Sequence, residues 1–192
     1  MTQLFLVRHG PTHAKSMVGW SDLPADLSDT AAIARLADFL PADAPVISSD
    51  LSRASATADA IQRDRPRLPH DPTLREIHFG DWELQKFADI EATDPIRIRA
   101  YWETPGEVRP PNGESWNEVC ERVNSAIDRL ITEHLDHNLI IVAHFGVILT
   151  QIQRAERLTA YEAFLHRIDN LSVTTISIIE NNWTLGRINH NP

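Results

Sequence analysis

Four short apolar runs, spread along the whole chain, restrict the fold of this sequence more than any other feature. They are Gln3–Val7, Val46–Ser49, Leu139–Ala143 and Val173–Ile179. The first three are nearly continuous in apolar residues, which is typical of parallel strands covered on both faces. A further strand, Trp183–Ile188, follows a turn signal, and we expect it to pair back antiparallel at an edge of the sheet.

Helical patterns separate these runs. The predicted helices are one capped by Ser28 or Asp29 and stopped by Pro41, then Ser52–Ile61, Trp116–Ile131 and Val147–Leu158. Strands that alternate with helices favour an α/β class, here a three-layer α/β/α sandwich around a mostly parallel central sheet with one antiparallel edge strand.

The chain length of 192 residues is typical of one domain, so we expect a single domain over residues 1–192. Residues 66–115 differ from the rest because they are rich in Pro and irregular, with one short helical stretch near Leu84–Glu91. We interpret this segment as an excursion that covers the active site rather than as a second domain.

The charge balance excludes some classes of partner. The chain has 18 Lys and Arg against 27 Asp and Glu, a net charge of −9, so it lacks the basic surface that general binding to nucleic acid or anionic membranes needs. One Cys excludes an internal disulfide framework. Met1 leads directly into the first predicted strand without a basic leader, and we expect a cytoplasmic protein.

Charged side chains follow three of the predicted strands at the point where each strand ends. Arg8-His9-Gly10 follows the first, the segment from Ser48 to Arg53 follows the second, and His144-Phe145-Gly146 follows the third. Ligands of α/β sheets bind beyond the carboxyl ends of the strands. We therefore expect two His and two Arg to meet at one edge of the sheet.

This combination suits phosphate chemistry. A neutral imidazole can attack phosphorus, and guanidinium groups match phosphoryl oxygens in bidentate geometry. Helices that begin at the same edge add N–H groups and a favourable dipole. Ester cleavage also needs a proton for the leaving oxygen, and Glu76, Asp81 and Glu83 are the candidate carboxylates, with a pKa that a nearby dianion would raise.

With these residues in place, the sequence resembles the histidine phosphatase superfamily, also called the phosphoglycerate mutase-like family. The motifs that carry the resemblance occur in the family's order along nearly the whole chain. They are Arg8-His9-Gly10, Gly19 to Pro24 with Leu27-Ser28, Ser49 to Ala58, Leu74 to Glu83, Pro111 to Ser115 and Val142-Ala143-His144.

The resemblance implies a phosphoglycerate mutase-like fold and a role for each matching residue. His9 is the implied nucleophile, and Glu76 the implied proton donor that later activates water. The residues implied to bind the transferred phosphoryl group are Arg8, Arg53 and His144. Those implied to touch substrate are Thr12, Lys15 and Gly19. No metal or other cofactor is implied.

Three positions depart from the family pattern. Ala14-Lys15 replaces Trp-Asn, Phe145 stands where Gly is usual, and Leu84 also stands where Gly is usual. These departures remove no catalytic residue, but they leave the substrate preference open.

We interpret the chain as a metal-independent phosphomonoester hydrolase that acts through a phosphohistidine on a small phosphorylated metabolite. It is most similar to the small phosphatases of the α-ribazole phosphatase type. The alternatives are a phosphoglycerate mutase-type phosphoryl transfer and a catalytically silent phosphate-binding relative. A homodimer through the edge strand or a helix face stays open.

Overall fold

The computed structural model describes residues 1–192 and contains one five-stranded sheet. In chain order the strands are β1 (Thr2–Arg8), β2 (Val46–Ser48), β3 (Asn138–Ala143), β4 (Val173–Ile179) and β5 (Asn182–Leu185). Their order across the sheet is β2-β3-β1-β4-β5. β2, β3 and β1 are parallel, whereas β4 runs antiparallel to both β1 and β5. The sheet is thus mixed, and its edge strand β5 pairs antiparallel as predicted.

The register of β1 against β3 positions the site. Arg8 lies opposite Ala143, so His9 and His144, the next residue of each strand, emerge together at the carboxyl edge of the sheet. The His9 amide donates to the Ala143 carbonyl over 3.0 Å, which extends the strand ladder by one residue. The alignment of the two histidines therefore follows from backbone pairing and does not depend on contacts between side chains.

Helices cover both faces of the sheet. They are α1 (Thr30–Phe39), α2 (Ser52–Gln62), α3 (Phe87–Thr93), α4 (Pro95–Glu103), α5 (Trp116–Glu133), α6 (Phe145–Glu156) and α7 (Ala160–Phe164). α1 and α2 pack on one face, in an apolar cluster of 13 buried residues; α5 and α6 pack on the other face, in a cluster of 26. The predicted α/β class and its three layers are confirmed. No helix has the length and apolar character that crossing a membrane requires.

The segment from 66 to 115 contains more helix than the sequence pattern predicts. The single stretch expected near Leu84–Glu91 is in fact α3, and α4 follows it directly. Pro95, one of the prolines that make this segment read as irregular, is compatible with helix at its position. It occupies the first turn of α4, where a missing N–H costs nothing, and the Asp94 side chain caps the helix by accepting from the Arg97 amide.

Candidate active site

The two histidines form the centre of a buried site. The ring centroids of His9 and His144 lie 5.1 Å apart, with the rings inclined by 60°. His9 is 6% exposed and His144 is fully buried. Both follow parallel strands, and His144 is also the residue that precedes α6.

Hydrogen bonds assign the tautomer of His9. Its Nδ1 lies 2.6 Å from the Gly10 carbonyl oxygen, which can only accept, so Nδ1 carries the proton. Its Nε2 accepts from Arg53 Nε over 3.2 Å and is therefore unprotonated. Burial and the adjacent Arg53 cation lower the pKa of His9 to about 3. The ring is thus neutral at physiological pH, with an Nε2 lone pair facing the site.

Arg53 is held by the loop after β1. It is the second residue of α2 and only 1% exposed. One terminal nitrogen donates to the Ser21 carbonyl over 2.9 Å, and the other donates to the Gly19 carbonyl over 2.6 Å. The guanidinium plane is therefore fixed beside His9 by backbone atoms.

Arg8 and His144 retain unused hydrogen-bonding groups inside the site. Arg8 donates from one terminal nitrogen to the Ile168 carbonyl over 2.6 Å, but its buried Nε has no protein partner. Both ring nitrogens of His144 are also buried without a protein partner. Burial and the neighbouring His9 hold the pKa of His144 well below its usual value. Buried polar groups are rarely left unpaired, so these atoms suit a polar ligand.

Glu76 is the only one of the three candidate carboxylates that lines the site. Its Oε1 accepts from the Gly146 amide over 2.9 Å and from the Ile77 amide over 3.0 Å. Burial raises its pKa above the usual value, although these two hydrogen bonds act in the opposite direction. Asp81 instead accepts from the exposed side chain of Asn112. The structure therefore places Glu76, and not Asp81, in the wall of the cavity that His9 also lines.

Glu83, the third carboxylate, organises the loop behind Arg53. It accepts from the amides of Gly19, Trp20 and Ser21 and from the Ser21 hydroxyl over 2.7–3.2 Å. Burial alone would raise the pKa of Glu83, but these hydrogen bonds outweigh burial and lower it. The sequence indicated Glu83 only as one of three candidate carboxylates, because most of its partners lie more than 60 positions away.

Asn170 is a second site neighbour that the sequence did not indicate. Its side-chain nitrogen donates to the His9 carbonyl over 2.8 Å. The adjacent backbone reinforces this contact, since the Leu171 amide donates to the Arg8 carbonyl and the Arg8 amide donates to the Ser172 carbonyl. The loop before β4 thus fixes the backbone of the Arg8-His9 pair.

A cavity of about 240 Å³ is lined by Arg8, His9, Arg53 and Glu76. Of the predicted substrate-binding residues, Thr12 lines it, Gly19 lies behind Arg53, and Lys15 is exposed and not part of the wall. Phe145 lines the cavity, and the Arg8 guanidinium lies 5.6 Å from its ring centroid. Trp102 forms another part of the wall, whereas the Trp20 indole donates to the Glu76 carbonyl from outside the cavity.

No cluster of three or more His, Cys, Asp or Glu side chains is placed to hold a metal ion.

Comparison with known proteins identifies the same group as the sequence motifs. The family model described as the histidine phosphatase superfamily (branch 1) matches residues 4–191. The adenosylcobalamin/alpha-ribazole phosphatase of Salmonella typhimurium is 32% identical over 193 residues, which cover 97% of this chain and 96% of that protein. The glucosyl-3-phosphoglycerate phosphatase of Mycolicibacterium vanbaalenii is 33% identical over 162 residues, covering 76% and 70% of the two chains.

Solved structures of similar chains have the same fold. Bacillus stearothermophilus YhfR superposes with a TM-score of 0.90 at 28% identity, covering 99% of this chain and 98% of that one. The alpha-ribazole phosphatase from Shigella flexneri superposes with a TM-score of 0.84 at 28% identity, covering 98% and 96%.

Proposed function

The chain belongs to the histidine phosphatase superfamily and hydrolyses phosphomonoesters of small metabolites, and we propose that it does so through a phosphohistidine at His9. The observation that carries this mechanism is the tautomer of His9. Its Nδ1 proton is donated to the Gly10 carbonyl, so Nε2 is the unprotonated nitrogen that can attack phosphorus. The hydrogen bond from Arg53 Nε to Nε2 has to break as the phosphoryl group enters.

In the first step, His9 Nε2 forms a bond to phosphorus while the bond from phosphorus to the ester oxygen breaks. Glu76 donates its proton to that oxygen, and the alcohol leaves. The raised pKa of Glu76 favours the protonated form that this step needs. Arg8, Arg53 and His144 face the transferred group, and their donors stabilise the charge on its oxygens.

In the second step, water attacks the phosphohistidine. Glu76, now a carboxylate, takes a proton from the water, the bond from nitrogen to phosphorus breaks, and inorganic phosphate leaves. His9 returns to its neutral form, and Glu76 is protonated again. The cycle consumes one water and needs no further reactant from the protein.

The relatives suggest which esters to test. Their names refer to adenosylcobalamin/alpha-ribazole and to glucosyl-3-phosphoglycerate, and one similar protein is named a probable phosphoglycerate mutase. We propose hydrolysis over mutase transfer, because the resemblance is to the small phosphatases. Conversion of 3-phosphoglycerate to 2-phosphoglycerate without release of phosphate would favour the mutase instead.

The decisive experiment compares the protein with its His9→Ala variant on a panel of phosphomonoesters. We expect the variant to lose turnover and to take up no 32P label, whereas the unmodified protein forms an acid-labile phosphohistidine. His137→Ala, at an exposed position after α5, is the matched control and should keep both properties. Full activity of His9→Ala would exclude the mechanism, and absence of any labelled intermediate in the unmodified protein would favour a silent phosphate-binding relative.

Other features of the interpretation stay predictions. Four of the residues that line the cavity, Glu76, Ile77, Phe79 and Trp102, come from the 66–115 segment, which supports its proposed role as a cover within a single domain. We also propose that Thr12, which lines the cavity, contacts the substrate. A contact from Lys15, which is exposed and outside the wall, stays a prediction from the sequence. The cytoplasmic location, the lack of nucleic-acid partners and a homodimer stay predictions from the sequence.

A further inference from the structure

The wall of the cavity contains two chemically different sets of residues, a charged set that we call the floor and an apolar set that we call the rim. The floor consists of Arg8, His9, Arg53 and Glu76. The rim has seven apolar residues: Ala14, Met17, Val18, Ile77, Phe79, Trp102 and Phe145. Only the hydroxyl residues Thr12 and Ser16 add polar character to it. The floor accounts for the phosphoryl group, so the rim is what meets the rest of the substrate.

The rim contains no cation. Outside the wall, each of the five arginines of the 66–115 segment pairs with a carboxylate. Lys86, the one lysine of that segment, is exposed and is not part of the wall. Lys15, next to Ala14, is exposed and lies outside the wall. A carboxylate on the substrate would therefore lose water at the rim without gaining a charged partner, which is costly.

Trp102 is a rigid part of the rim. Its ring makes edge contacts with Tyr101 and Phe164 at centroid distances of 5.1 and 5.4 Å and near-perpendicular angles. A side chain fixed in this way can contact an apolar ligand without losing further conformational freedom. Phe145, also in the rim, lies above the Arg8 guanidinium and so places an aromatic surface beside the phosphoryl-binding group.

From these observations we propose that the site selects phosphomonoesters whose leaving alcohol is uncharged and apolar, with an aromatic ring packed against Trp102 and Phe145. This inference rests on the proposed function and specifies its substrate class. At about 240 Å³, the cavity is smaller than the roughly 300–1,000 Å³ of sites for drug-sized ligands, so one ring next to the ester fills it. Trp102 and Phe145 act as specificity-determining residues.

The test uses three esters of primary alcohols that differ in the group beyond the ester: 2-phenylethyl phosphate, glycerol 3-phosphate and 3-phosphonooxypropanoate. We expect kcat/KM to be highest for the phenylethyl ester, by about 10-fold or more over glycerol 3-phosphate, and lowest for the carboxylate. An equal or higher kcat/KM for the carboxylate, lost in His9→Ala, would overturn the inference while leaving the proposed function intact. Absence of turnover on every ester would overturn both.

Variants identify the residues responsible. Trp102→Ala should reduce the ratio of kcat/KM between the phenylethyl and glycerol esters by about 10-fold, the upper end expected for an aromatic pair. Ile96→Ala, on the exposed side of the same helix α4, is the control and should leave this ratio unchanged. An unchanged ratio in Trp102→Ala would contradict the role of this ring.

A gain-of-function variant tests the inference without disturbing the packing of Trp102 against Tyr101 and Phe164. Ala14 lines the cavity but is exposed, so Ala14→Lys places a cation at the rim without disturbing the core. We expect kcat/KM for 3-phosphonooxypropanoate to rise by about 10-fold relative to the phenylethyl ester, since an opposite charge within a few ångströms favours the anion. No relative gain for the anionic ester would show that charge at the rim does not set the preference.

Discussion

Glu83 and Arg53 bind the same loop from opposite sides. The Glu83 carboxylate accepts the amides of Gly19, Trp20 and Ser21, and the Arg53 guanidinium donates to the carbonyls of Gly19 and Ser21. The amides of the loop thus bind the Glu83 carboxylate, and its carbonyls bind the Arg53 guanidinium. Arg53 is the group that contacts His9. Glu83 acts on the site through this loop, as a positioning residue.

Glu83→Gln should therefore impair the site without touching substrate. The amide has one acceptor oxygen in place of two, so at least one loop donor loses a charged partner worth about 1.5–3 kcal/mol. We expect kcat/KM to fall by about 10- to 100-fold, with KM rising because Arg53 is no longer held in place. Asp81→Asn is the control, because Asp81 lies in the same segment and its carboxylate accepts only from the exposed Asn112 side chain. Equal values of kcat/KM for Glu83→Gln and Asp81→Asn would show that Glu83 does not position Arg53.

Gly146→Ala should displace Glu76. A Cβ at this position would lie 2.4 Å from Glu76 Oε1 and 2.8 Å from Ile77 Cγ1, so the carboxylate has to move. General acid catalysis contributes about 10²–10⁴-fold, and we expect kcat to fall by about 100-fold. Gly106→Ala is the matched control, because its nearest new neighbour is an Asn117 atom at 3.9 Å. Wild-type kcat in Gly146→Ala, with an unchanged urea midpoint, would argue against Glu76 as the proton donor.

The buried histidines should make stability depend on pH. The folded pKa values of His9 (about 3) and His144 are lowered, so the unfolded chain binds more protons below its own pKa near 6.5. Their stabilising contribution is complete above that value and is lost as the pH falls toward the folded pKa. Each histidine then removes about 1.4 kcal/mol per pH unit from the free energy of unfolding.

His144→Asn removes one of these groups. Between pH 6 and pH 5, the loss of unfolding free energy measured with urea should be about 1 kcal/mol smaller in His144→Asn than in the unmodified protein. His137→Asn, at an exposed position, should behave as the unmodified protein does. Parallel pH profiles for His144→Asn and the unmodified protein would contradict the buried, neutral state of this ring.

Leu84→Gly should stabilise the fold. Leu84 has a φ of +62° and a side chain that is 53% exposed, so it occupies the left-handed region with little burial in return. That conformation costs about 1–2 kcal/mol for a side chain other than Gly, whereas the added freedom of Gly in the unfolded chain costs about 0.5–1 kcal/mol. We expect a net gain of up to about 1.5 kcal/mol in the free energy of unfolding from a urea titration. Gln85→Gly, without a positive φ, should lose stability, and a shift of the same sign in both variants would refute the explanation.

The strands were predictable because both faces of the sheet are covered. Nearly continuous apolar runs predicted β1, β2 and β3 to within one residue. The charged residues after those runs predicted that His9, His144 and Arg8 would meet. β5 ends three residues earlier than predicted, at Leu185, because an exposed edge strand has no continuous apolar run to define it.

The remainder depends on tertiary contacts that leave no local pattern. Glu83 and Asn170 bind backbone atoms that are distant in the sequence, and any polar side chain of similar length would give the same local signal. The residues that line the cavity were likewise not predictable from local sequence. Trp20 and Trp82 lie within motifs, yet Trp102, in a helix that the sequence did not indicate, is the indole that lines the cavity.

Because β1 pairs with β3, the residues that carry out the reaction can be conserved in evolution independently of those that select the substrate. The two histidines are aligned by main-chain hydrogen bonds that every sequence with this register retains. Most of the rim comes from other places, namely residues 14–18, residues 77–79 and helix α4. Mutations in the rim can change which alcohol the cavity accepts, while His9 and His144 keep their spacing. A lineage with this architecture can thus exchange one substrate for another without passing through an inactive ancestor.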